Sequence, residues 1–105
     1  MKFVIAILDP PSSDRARKII KLLEELVELG ADVSVYFLGD GVYWGVKGCL
    51  EQVVRHGIRF FTGENDLEAR GVRGELLSEK VDVLPDVIDR LIYEVMEEAE
   101  RVLSV

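Results

Sequence analysis

At 105 residues, nearly half of them apolar, with three prolines and nine glycines scattered along its length, the chain suits one folded domain over 1–105 and neither a disordered tail nor a fibre. Twenty acidic residues against 13 basic ones give a net charge of -7, which repels a phosphate backbone at long range and argues against a nucleic-acid partner. One cysteine and one histidine exclude an intrachain disulfide and a His/Cys metal site, and neither a metal nor a cofactor is expected.

The first apolar run, Phe3 to Leu8, is rich in branched residues, the pattern of a strand covered on both faces. It is too short to span a membrane and runs straight into Asp9, so a cytoplasmic protein with no membrane partner is expected. Pro10 and Pro11 end the strand, because proline offers no amide hydrogen and pushes the preceding residue out of helical geometry. Ser12 or Ser13 then caps a helix predicted over Asp14 to Leu29, where Ala16, Ile19, Ile20, Leu23, Leu26 and Val27 recur at helical spacing before Gly30. Arg15, Arg17, Lys18 and Lys21 share that helix with Glu24, Glu25 and Glu28 and read as its solvated face.

Val33 to Leu38 reads as the second strand, and Gly39-Asp40-Gly41 as its turn into another helix. That helix is predicted over Val42 to His56, with Val42, Val46, Cys49, Leu50, Val53 and Val54 on its apolar stripe and His56 at its carboxyl end. Ile58 to Phe61 is the third strand, followed by a polar loop from Thr62 to Gly71, a partly helical segment from Val72 to Lys80, and a fourth strand from Val81 to Val83. Pro85 fits the start of a final helix with Val87, Ile88, Leu91, Ile92, Val95 and Ala99 on one stripe and Glu94, Glu97, Glu98 and Glu100 facing water. Arg101 to Val105 reads as a fifth strand. Alternating strands and helices imply a three-layer α/β/α sandwich around a mainly parallel sheet, whose strand-end loops, Asp9 to Ser13, Gly39 to Tyr43 and Thr62 to Asp66, converge on one edge.

The loop after the first strand has no glycine, so both the Rossmann fingerprint and the P-loop are absent. Glu64, Asp66 and Glu68 with Arg70 supply carboxylates for acid/base work, but a hydrated loop with local Arg70 ion pairing is the preferred reading. Cys49 is the one soft nucleophile, and its place on a predicted apolar stripe favours an inert core cysteine over a reactive thiol. Tyr43 and Trp44, at the second strand end, fit a ligand pocket or, preferably, an oligomer interface. The single asparagine and glutamine among many Glu, Arg and Lys residues give a thermophile-like composition.

Three stretches, Phe37-Leu38-Gly39-Asp40-Gly41-Val42, Leu67-Glu68-Ala69-Arg70-Gly71 and Ala99-Glu100-Arg101-Val102-Leu103-Ser104, make the chain resemble the DsrE/DsrF-like family, which includes the TusD-type subunits of sulfur-relay complexes. The resemblance implies a five-stranded parallel sheet in the order 4-3-2-1-5 and a homo- or hetero-oligomer, often a trimer or hexamer. In sulfur-relay members a cysteine in the loop after the third strand carries a persulfide, just before the stretch matching Leu67 to Gly71. Here that loop reads Gly63-Glu64-Asn65-Asp66, with no sulfur. The resemblance therefore implies a pocket rimmed by Asp40, Tyr43, Glu64, Asn65 and Arg70 in a non-catalytic ligand-binding or assembly subunit. A sulfur carrier using Cys49 with a sulfur-relay partner protein is the alternative, and a hydrolase or isomerase using the acidic loop is a third.

Overall fold

The computed structural model describes residues 1–52 and 57–105. Five parallel strands, β1 (Lys2–Ile7), β2 (Asp32–Phe37), β3 (Ile58–Gly63), β4 (Val81–Leu84) and β5 (Arg101–Ser104), form one sheet in the order β4-β3-β2-β1-β5. Helix α1 (Ala16–Glu28) covers one face and α3 (Val87–Glu97) the other, while the short α2 (Glu64–Ala69) follows β3. The expected sandwich and strand order are thus present.

Period-two alternation decides which side chains meet which helix. Ile5, Ile7, Val33, Val35, Phe37 and Phe60 point to one side and bury Ile19, Leu23 and Leu26 of α1. Val4, Tyr36 and Phe61 point to the other side and meet Val87, Leu91 and Val95 of α3. Because both faces are covered, the central strands read as continuous apolar runs.

Helix α1 stops where the sequence predicts it. Gly30 takes a φ of 77° there and donates to the Val27 carbonyl, and Ala31 donates to that of Leu26, which satisfies the last carbonyls. Its start differs from expectation. The Ser13 hydroxyl accepts from the Arg15 amide in a local turn and no side chain caps the helix, which begins at Ala16.

The predicted helix over Val42 to His56 is not formed across its described part. Gly39–Gly45 and Leu50–Gln52 are 3-10 turns, and Val46 between them is extended and bridges Leu77 in antiparallel fashion. Gly45 and Gly48 each cost a helix about 1 kcal/mol relative to alanine, and tertiary contacts divide the apolar residues instead. Val42 packs with Leu67 and Leu77, whereas Leu50 joins the α1 side of the core. Val53, Val54 and His56 lie outside the described residues.

Trp44, expected at an interface, is only 1% exposed and is a core residue on the α1 side. The polar loop expected from Thr62 to Gly71 is also more ordered than predicted. β3 continues through Gly63, Thr62 donates its hydroxyl to the Phe37 carbonyl at 2.8 Å, and α2 takes the next six residues, with Leu67 buried.

Helix α3 is rotated relative to the prediction. Ile88 and Ile92 face outward, and Glu94, expected in water, is completely buried. Its carboxylate accepts from the Tyr36 hydroxyl at 2.5 Å, lies 3.0 Å from the Lys2 ammonium and 3.4 Å from the Arg59 guanidinium, and has Arg90 at 4.0 Å. The Ser34 hydroxyl lies beside it, buried and outside ordinary hydrogen-bond geometry. Burial pushes the Glu94 carboxyl up, but the surrounding hydroxyls and the Lys2 charge outweigh it and hold the group below the ordinary carboxylate range. Lys2 and Arg59 come from the amino-terminal ends of β1 and β3, the opposite end from the convergent loops, while Tyr36 reaches the carboxylate from the far half of β2.

Candidate functional site

The loops after β1 and β2 are fixed to each other at the carboxyl edge of the sheet. The Trp44 indole N–H donates to the Asp9 carbonyl at 2.8 Å, and the Asp9 carboxylate accepts from the Ser13 hydroxyl at 3.3 Å and pairs with Arg15 at 3.4 Å. The approach is close enough to require glycine at position 41, where a Cβ would stand 1.9 Å from the Ile7 carbonyl oxygen, a backbone atom unable to move aside. Between the two loops lies an open crevice of about 430 Å³, lined by Pro10, Pro11, Ser12, Asp40, Tyr43 and Cys49. Its volume is within the range of small-ligand pockets, and its place beyond the strand ends is where open α/β sheets bind ligands.

Behind the crevice, Arg70 locks α2 to the Gly39–Gly45 turn. Its Nε donates to Asp40 Oδ1 at 2.9 Å and its NH1 to the Asp66 carbonyl at 3.3 Å, while the Gly39 amide donates to the Asp66 carboxylate at 3.4 Å. Asp40 therefore has two faces: one oxygen holds Arg70, and the side chain also lines the crevice.

The structure separates the five residues proposed to rim one pocket. Asp40 and Tyr43 line the crevice, and Arg70 reaches it through Asp40. Asn65 lines a different hollow of about 310 Å³, between the end of β3 and the start of α3, with Asp66, Asp86 and Asp89. Glu64 lies in a third, beside Leu67 and Val72. Glu64 and Glu68 are exposed, and Asp66 is engaged by Gly39, so the acidic loop forms no enclosed carboxylate pair.

Cys49, expected on a buried helical stripe, is half-buried at the crevice wall. Sequence reasoning missed Pro10 and Pro11 as lining residues because they read as strand punctuation. Among the described residues no group of three or more His, Cys, Asp and Glu side chains is placed to hold a metal ion, and no helix is long and apolar enough to cross a membrane.

Comparison with solved structures finds 13 matching chains, among them two that share the architecture at full length. The protein of unknown function MTH1491 from Methanobacterium thermoautotrophicum superposes with a TM-score of 0.80 at 22% identity, covering 97% of this chain and 97% of that one. The YchN protein from E. coli gives a TM-score of 0.72 at 18% identity, covering 100% of this chain and 99% of the other. The likeness is one of fold. What the chains share is the α/β architecture with its five-stranded parallel sheet. No protein-family model and no curated protein matches the sequence.

Proposed function

We propose that this chain is a DsrE-like, non-catalytic cytoplasmic subunit that assembles with copies of itself and holds a small ligand in the crevice between the β1 and β2 ends. The observation that carries the reading is the outer face of α3. Ile88, Ile92 and Met96 recur there every four residues with Tyr93 beside them, and each is more than half exposed. A lone exposed isoleucine needs no explanation, but a stripe along one helix has the character of a surface that packs on another. A second copy of the chain fits it, consistent with the trimers or hexamers implied by the family resemblance. The non-catalytic part rests on the end of β3, where Gly63-Glu64-Asn65-Asp66 offers no sulfur nucleophile and Asp66 serves the Gly39 amide.

A second reading is favoured by one observation, the half-buried Cys49 at the crevice wall. In it the chain is a sulfur carrier that takes sulfur onto Cys49 and passes it to a sulfur-relay partner. Intact-mass spectrometry after brief exposure to inorganic polysulfide separates the two. The leading reading predicts that Cys49 takes up sulfur no faster than free glutathione in the same tube. Rapid gain of one sulfur atom, abolished in Cys49→Ala, would establish the carrier instead.

A further inference from the structure

The crevice carries a chemical preference of its own, and the inference drawn from it rests on the ligand-binding half of the function proposed above. Three of its lining side chains are rings, Pro10, Pro11 and Tyr43, and the two prolines bring no backbone N–H into that wall. Tyr43 is 37% exposed, so its ring borders the opening and is not locked inside the core. Flat apolar surface packs well on such rings. The polar groups at the crevice are the Ser12 hydroxyl, the Tyr43 hydroxyl, the Cys49 thiol and the Asp40 carboxylate.

Asp40 decides the charge. Its Oδ1 is held at 2.9 Å by Arg70 Nε, so the carboxylate is compensated before any ligand arrives, while its second oxygen remains an acceptor. A cationic ligand meets a carboxylate already paired with a guanidinium and gains little from it. An anion finds no basic side chain in that lining, within a chain of net charge -7. An uncharged hydroxyl or N–H donor avoids both difficulties.

We propose that the crevice takes a small, uncharged ligand with a flat apolar body and one hydroxyl or N–H donor at its edge. The body rests on Pro10, Pro11 and Tyr43, and the donor bonds to Asp40.

Three ring compounds of similar size and different charge test this: phenol, benzylamine and benzoate, each titrated at neutral pH into the ¹⁵N-labelled full chain and followed through its amide resonances. Phenol is expected to shift the Asp40, Tyr43 and Cys49 amides and to bind about tenfold more tightly than either charged compound, a difference worth about 1.4 kcal/mol. Tyr43→Ala should weaken phenol by about tenfold while leaving the resonances of β1 and α1 in place. Asp40→Asn removes the charge that compensates Arg70, so benzoate should gain on phenol in that variant. If benzylamine or benzoate binds the unaltered crevice as tightly as phenol, the proposed ligand class is wrong and the ligand-binding reading stands. If none of the three moves those resonances at millimolar concentration, the ligand-binding reading falls as well.

Discussion

Glu94→Ala is expected to lower the stability of the fold by about 3–5 kcal/mol in urea denaturation, a large part of the 5–15 kcal/mol typical of a domain. The effect comes from what the substitution leaves behind. Lys2, only 11% exposed at its side chain, would lose the carboxylate 3.0 Å away, and the buried Tyr36 hydroxyl would lose its acceptor. Glu98→Ala is the control, since Glu98 contacts the same ammonium at 3.3 Å but is 39% exposed, and it should cost less than about 1 kcal/mol.

The pH profile follows from the same cluster. Glu94 has a folded pKa below its ordinary value of 4.5, so its contribution is fully present above that value and is lost as pH falls through the lower, folded one. Lys2 behaves in the opposite sense. Burial pulls its pKa down, but the bond and charge of Glu94 outweigh this and raise it above 10.5, so its contribution is full below 10.5 and is lost as pH rises through the folded value. A stability plateau between these limits is expected in the parent chain. Glu94→Gln, which keeps the shape and loses the charge, should lose less stability than the parent on acidification.

Trp44→Ala is expected to cost about 3–5 kcal/mol, the usual range for removing a large buried aromatic side chain, again measured by urea denaturation. Trp44 fills the α1 side of the core and also donates to the Asp9 carbonyl, which joins the turn after β2 to the loop after β1. Trp44→Phe keeps one aromatic ring but loses the donor and part of the indole, so it should cost less, about 1–3 kcal/mol. Both variants should also weaken ligand binding in the crevice, because its two walls are held together through that bond.

The strands and two of the helices were legible because each is decided by its own residues. β1 and β2 are continuous apolar runs, and α1 combines a helical period with a glycine stop. The segment after Gly41 was misread because its valines and leucine fit helical offsets while its glycines argued against a helix, and the contest was settled by Leu67 and Leu77, distant in sequence. Helix α3 was misread in rotation, since it carries apolar residues on two faces and period alone cannot say which looks inward. The choice depends on Lys2, Tyr36 and Arg59 meeting Glu94, three strands that local patterning cannot bring together.

Two of the stretches that suggested the family resemblance meet in space. Asp40 pairs with Arg70, Gly39 with Asp66, and Val42 with Leu67, so the order of those motifs reflects one structural joint behind the crevice. That joint explains why Asp40, Tyr43 and Arg70 belong to one neighbourhood, and why Glu64 and Asn65, on other sides of α2, do not.

The central claim is that α3 presents its outer apolar stripe to a second copy of the chain. Sedimentation velocity at micromolar concentration, comparing the parent chain with Ile92→Glu, tests it most directly. The parent is expected to sediment as a homo-oligomer and Ile92→Glu as a monomer with an unchanged circular dichroism spectrum, because Ile92 is 54% exposed and its replacement leaves the core intact. A parent chain that sediments only as a monomer, or an oligomer indifferent to Ile92→Glu, would contradict the account.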